Sequence, residues 1–158
     1  MMRIIRHLFS WGLAALLIGL FLHISVHPWP NPPSGQVLLF DLPGDNILFS
    51  TLADRSGYPI FEPGFRVVVG GLLVLISALV FLPNTRRMGG FLAFVLMGAA
   101  LAAHLSPWLG QELPAALNGI EPGTDNGRQF ALTIAMLVAS FLVMIVHPGK
   151  KAMAGRRY

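Results

Sequence analysis

The stretch "FRVVVGGLLVLISALVFLPNTRRMGGFLAFVLMGAALAAHLSPWL", residues 65–109, decides the fold. It holds two apolar runs, about 65–82 and about 89–109, divided by the polar link "PNTRRM". A helix crossing the hydrocarbon core of a bilayer needs about 17–25 such residues. In lipid the backbone must satisfy its own N–H and C=O groups, which favours helices over open strands. The stretch therefore reads as a helical hairpin with Arg86 and Arg87 at its turn.

Two further runs lie outside it. "LFSWGLAALLIGLFLHISV" covers about 8–26, and "QFALTIAMLVASFLVMIV" covers about 129–146. The connections between spans are then residues 27–64 and 110–128. The first run, preceded by Arg3 and Arg6, has a signal peptide as its alternative. Its apolar stretch exceeds the usual 7–15 residues of a signal peptide, and "HPWPNPPSG" follows in place of a small-residue cleavage site, so it is expected to stay as a span.

Composition agrees. The chain of 158 residues is 54% hydrophobic and 11% charged, against roughly 25% charged for a soluble domain. No cysteine is present, which excludes disulfides and thiolate chemistry by its own side chains. The net charge of +4 could suggest nucleic acid, but the placement of the charges argues against it. Arg3, Arg6, Arg86, Arg87, Lys150, Lys151, Arg156 and Arg157, eight of the eleven basic residues, flank spans on one side with no acid among them. Arg55, Arg66 and Arg128 lie on the other side with all seven acids, Asp41, Asp45, Asp54, Glu62, Glu112, Glu121 and Asp125. The positive-inside rule then puts both termini in the cytoplasm and both longer connections outside. The expectation is an all-α, integral membrane four-helix bundle of a single domain, in a bacterial plasma membrane, with the lipid bilayer as its first partner.

Smaller signals fill in this frame. Trp11, Trp29 and Trp108 fall near span ends, as interfacial anchors do. Ala131, Ala135 and Ala139, Ala15 and Gly19, and Ala99 and Ala103 repeat every four residues, a spacing that lets helices approach closely or leaves a face for a partner such as a second copy. Within the first outer connection, "DNILFSTLADRSGYP" reads as a short interfacial helix. Asp45 or Asn46 would cap it, Gly57 and Pro59 would end it, and Ile47, Leu48, Phe49 and Leu52 would form its apolar side.

The orientation brings polar groups of all four spans to one depth. His23 and His27 end the first span, Arg66 begins the second, His104 ends the third, and Arg128 and Gln129 begin the fourth. Ionisable groups at such positions are functional candidates. One reading is a metal site, since the pair His23 and His27 with His104 and a carboxylate resembles zinc or copper ligation in type. Another is haem held between His104 and His23 or His27 on facing helices. The next is a polar pocket in which Arg66, Arg128 and the histidines bind an anion or a quinone headgroup. The last is a water boundary at which these groups bond to loop carbonyls and acids. His27, directly before Pro28, reads mainly as a boundary residue, and His104 as the companion of His23. In a site, His104 would be the proton donor or acceptor, and the arginines would hold an oxyanion. The spans carry no mid-membrane acid and no broken-helix pattern, which argues against a transporter.

The same residues carry a family likeness. Arg66, Gly70 and Gly71, then "LP-x-TRR-x-G" (Leu82, Pro83, Thr85, Arg86, Arg87 and Gly89), then "HL" (His104 and Leu105) occur in the order seen in the DoxX-like family of small four-span bacterial membrane proteins. "SGYP" (Ser56 to Pro59) upstream is similar to that family's segment before its second span. "NGIEPGTDNGRQFAL" downstream, through Gly119, Ile120, Glu121, Asp125, Gly127 and Phe130, is similar to its outer loop. The resemblance implies a plasma-membrane bundle that is an accessory subunit of a membrane or periplasmic redox complex, as in thiosulfate:quinone oxidoreductase. Its alternative is an oxidoreductase component that itself binds quinone or a small anion through Arg66, His104, Glu121 and Arg128, with His23 beside them. A purely structural membrane interaction protein is the further alternative. Family members often carry a glutamate within the second span, where this chain has Leu73.

Overall fold

The computed structural model describes residues 2–26, 37–114 and 123–146. Among them are five α-helices: α1 (Met2–Ser25), α2 (Ile47–Ser56), α3 (Gly64–Phe81), α4 (Arg86–Leu105) and α5 (Arg128–Val146). A 3-10 turn over Pro59–Phe61 precedes α3, and there is no strand among the described residues beyond an isolated bridge between Pro114 and Thr124. Helices α1, α3, α4 and α5 are each long and apolar enough to cross a membrane.

The helix ends follow local chemistry. α3 stops at Leu82 and α4 at Ser106, each in extended conformation before a proline. A residue in that position is sterically steered away from the helical region. This corrects the third span, expected to run to residue 109, and places the "SPWL" stretch in a turn. α4 also begins earlier than expected, at Arg86, and α1 begins at Met2. Their basic first turns are helical even though the apolar runs start later. α2 has the expected limits: Asn46 Oδ1 accepts from Phe49 N–H at 3.2 Å, and Gly57 closes the helix in the left-handed conformation. Phe49 and Leu52 on its apolar side are buried.

The long helices touch in a cyclic order, α1 against α3 and α5, and α4 against α3 and α5. Ala14, Leu17 and Phe21 of α1, Leu73, Ile76 and Val80 of α3, Ala93 and Met97 of α4, and Met136, Ala139 and Val143 of α5 make the shared core. The opposite faces are apolar and exposed, for example Leu16, Val68, Leu75, Val95 and Val138. Buried hydroxyls bond to their own helices: Ser77 to Leu73 O at 2.8 Å, Ser140 to Met136 O at 2.6 Å, and Thr133 to Gln129 O at 2.9 Å.

Close approach occurs at glycines. A Cβ on Gly89 would lie 2.8 Å from Val80 N, and one on Gly90 would lie 3.0 Å from Met144 N. The small-residue repeats expected to serve this purpose mostly do not: Ala15, Gly19, Ala99, Ala131 and Ala135 are exposed, and Ala139 alone of its series is buried. Ala15, Gly19 and Ala99 fall on the outer side of helices whose larger side chains already fill the core, and Ala131 and Ala135 border an open space between α1, α2 and α5.

The two ends of the molecule differ. At one end, Arg86 Nη1 donates to Ser10 Oγ at 3.3 Å, and Gly90 abuts the last turns of α5, so the start of α1, the α3–α4 link and the end of α5 come together. At the other end, the segment from Val37 to Asp41 inserts beside α1 and α3. Leu38 and Leu39 N–H donate to Ile24 O and Ser25 O at 3.0 and 3.1 Å, satisfying carbonyls that a helix C-terminus leaves open. Gly70 permits this entry, because a Cβ there would stand 2.9 Å from the Leu39 side chain.

Candidate functional site

Arg66 begins the second span as expected, but its guanidinium is directed inward and is only 1% exposed. Nε donates to both Glu62 oxygens at 2.9 and 2.8 Å, Nη1 donates to Leu38 O, and Nη2 donates to Asp41 O at 2.9 Å. Glu62 Oε1 also accepts from Gly44 N–H at 3.1 Å. Asp41 Oδ2 accepts from Val37 N–H at 3.1 Å and from Asn46 Nδ2 at 2.8 Å. This network ties the inserted segment to α3 and to the cap of α2. Every nitrogen of Arg66 has an acceptor within the chain. The spacing of Glu62 and Arg66 by four residues is the sequence signal for their pairing.

His104 is likewise 1% exposed. Its Nδ1 lies 2.9 Å from Gly110 O, and a carbonyl can only accept, so Nδ1 carries the proton. Nε2 is buried without a hydrogen-bond partner among the described residues. The Phe130 ring meets the imidazole edge-on, with centroids 5.8 Å apart. His104 thus ties the turn after α4 to the start of α5.

Asp125 organises that start. Oδ1 accepts from Leu113 and Gly127 N–H at 2.9 and 3.0 Å, and Oδ2 accepts from Gln129 N–H at 2.9 Å. Burial pushes the carboxyl pKa up. The three backbone donors, together with the charge of His104, outweigh that and hold it below the usual carboxylate range.

His23, Arg128 and Gln129 come together elsewhere at this end. They border a cavity of about 590 Å³ between α1, α2 and α5. Asp125, Leu113 and Pro114 also line it, and its apolar wall includes Leu20, Ile24, Leu132 and Ala135. On α5 that wall runs from Arg128 to Ala135, about 10 Å of helix at about 1.5 Å per residue. Arg66 and His104 are not among its lining residues. The polar set expected at a single depth is therefore split: Arg66 holds a segment, His104 holds a turn, and His23 with Arg128 faces the cavity.

Glu121 and His27 lie outside the described residues, as do Trp29, Gly119 and Ile120. No three His, Asp or Glu side chains form a metal-holding group among the described residues.

The opposite end holds a second buried cation, Arg86, which the sequence presents as a topology signal and as part of the TRR turn. Arg86 is 1% exposed. Its Nε and Nη2 donate to Val80 O and Phe81 O at 2.9 and 3.3 Å, and its guanidinium carbon lies 3.9 Å from the centroid of the Trp11 ring. Thr85 Oγ1 donates to Leu79 O at 2.8 Å, so the last carbonyls of α3 are capped by the first residues of α4. The short link that joins the helices makes this capping legible in retrospect. Trp11 therefore stacks as well as standing near a helix end.

Among the described residues the geometry defines an all-helical arrangement with four candidate membrane-crossing helices and a polar-mouthed cavity at one end. No protein-family model matches the chain, and neither a curated protein nor a solved structure is significantly similar to it.

Proposed function

We propose that the chain is a multi-pass protein of a bacterial plasma membrane, with both termini cytoplasmic, that serves as an accessory subunit of a quinone-linked redox complex. The observation that carries the accessory role is the use of its buried charges. Arg66, Glu62, Asp41 and Arg86 are all engaged by the chain's own carbonyls, N–H groups and side chains, so they brace a frame. Catalytic groups are instead presented toward a reacting atom. A polar-mouthed cavity at the acid-bearing end is open to a ligand.

The orientation is supported by charge. Arg86 and Arg87 sit at one end, and every acid among the described residues sits near the other. The apolar outer faces of the four helices suit lipid contact. The redox link is supported by the DoxX-like order of motifs from Arg66 to His104.

Gentle affinity purification of the full chain from membranes tests this function. Recovery of quinone-linked redox subunits, with slower quinone reduction in a deletion strain, is the expected result. Recovery of the chain alone, with unchanged quinone reduction, would remove the redox role.

A further inference from the structure

Resting on the reading that the cavity faces outward, we propose that it binds the anionic headgroup of an amphiphile. Arg128 meets the oxyanion, and the acyl chain follows the wall of Leu20, Ile24, Leu132 and Ala135.

The first support is charge. Three arginines belong to this end of the protein. Arg66 has Glu62 and two carbonyls, and Arg55 donates to Leu109 O at 3.1 Å. The Arg128 guanidinium has no acceptor among the described residues, where the Arg66–Glu62 contact is the one salt bridge. Asp125, three residues earlier, would be its natural partner. That carboxylate is instead held by the N–H groups of Leu113, Gly127 and Gln129. A guanidinium thus stands at the mouth of the cavity without a hydrogen-bonded counter-ion among the described residues. The guanidinium fork presents paired donors that fit a phosphate or carboxylate. His23 and Gln129 border the same mouth and add polar contacts.

The second support is shape. The polar groups gather at one end of the cavity, and the α5 side below Arg128 continues through Ala131, Leu132 and Ala135 without a charged residue. A cavity of about 590 Å³ lies within the roughly 300–1,000 Å³ range of small-molecule sites. It has room for a headgroup and the first part of one chain. A neutral ring headgroup would leave Arg128 uncompensated, which favours an anion over a quinone in this cavity. The oxyanion could belong to a phospholipid or be free phosphate, and the tail wall distinguishes the two.

The test uses the full chain in nanodiscs of equal phosphatidylglycerol and phosphatidylcholine with matched acyl chains, released for native mass spectrometry. Retained phosphatidylglycerol is expected to exceed phosphatidylcholine about tenfold, the scale of a charge-assisted contact. Arg128→Gln should abolish that preference with helicity unchanged, and Arg55→Gln should keep it. Ala135→Trp, which fills the tail wall, should lower retention of phosphatidylglycerol. No preference in the natural chain, or an undiminished preference in Arg128→Gln, overturns the proposal. Thermal protection by inorganic phosphate that depends on Arg128 but is equal in Ala135→Trp, without lipid preference, also overturns it, because the ligand is then a free anion. Retention of added menaquinone in place of phospholipid overturns it in favour of a quinone site. Loss of lipid preference while redox subunits still co-purify would refute this inference and leave the accessory role standing.

Discussion

Replacing Arg66 with glutamine should loosen the end of the protein that holds the segment from Val37 to Asp41 before it changes any ligand. The side chains of Arg66 and Glu62 are 2% and 5% exposed. Arg66→Gln removes the donors to Leu38 O and Asp41 O and leaves Glu62 with Gly44 N–H as its remaining described partner. Each buried polar group left without a partner costs about 1–3 kcal/mol. Stranding one member of a buried ion pair costs about 3–5 kcal/mol. The terms overlap, so a loss of about 3–5 kcal/mol is expected. Unfolding of the purified chain in mixed micelles, followed by circular dichroism, measures it. Adding Glu62→Gln removes the stranded charge and should recover part of the loss, giving a coupling of about 1–3 kcal/mol between the two sites. Arg66→Lys should recover little, since a single ammonium cannot serve Glu62 and two carbonyls together. A loss below about 1 kcal/mol, with no coupling to Glu62, would refute the bracing role. If such a variant also lost bound lipid, Arg66 would belong to the ligand site.

Other outcomes follow from the same geometry. Gly89→Ala places a methyl group 2.8 Å from Val80 N, and thermal unfolding should report a loss of about 1–3 kcal/mol. Arg86→Met should destabilise by a similar amount, about 1–3 kcal/mol, by opening the last carbonyls of α3, and should shift Trp11 emission as the stacked guanidinium leaves. Asp125 has a folded pKa below its unfolded value, so its stabilisation is present above the unfolded pKa near 3.8 and is lost as pH falls through the folded value. Asp125→Asn should therefore lower the melting temperature at pH 7 and flatten its fall under acid, and an unchanged acid profile would contradict this.

Much of the frame was legible in the sequence because it rests on short-range rules. Asn46 and Gly57 announce α2 through capping chemistry, and Pro83 announces the end of α3, whereas the apolar run through Pro107 hid the end of α4. The site was less legible. Depth along a span placed Arg66, His104, His23 and Arg128 at one end, but not the direction each side chain takes. Arg66 is captured by carbonyls of Leu38 and Asp41, more than twenty residues away in a segment with no periodic pattern. The entry of that segment depends on Gly70, whose missing Cβ leaves space that no local signal announces. The small-residue repeats misled for a related reason. Spacing shows that Ala15 and Gly19 share a face, and only packing shows that this face looks outward.

The natural chain has no cysteine, so a single introduced one reports its own exposure. Gln129→Cys at the cavity mouth and Arg87→Cys at the opposite end test the outward-facing site most directly. In intact cells a membrane-impermeant maleimide should label Cys at 129 and leave Cys at 87 unlabelled until the membrane is opened. Labelling at 87 with protection at 129 would contradict the outward orientation of the cavity and the function built on it.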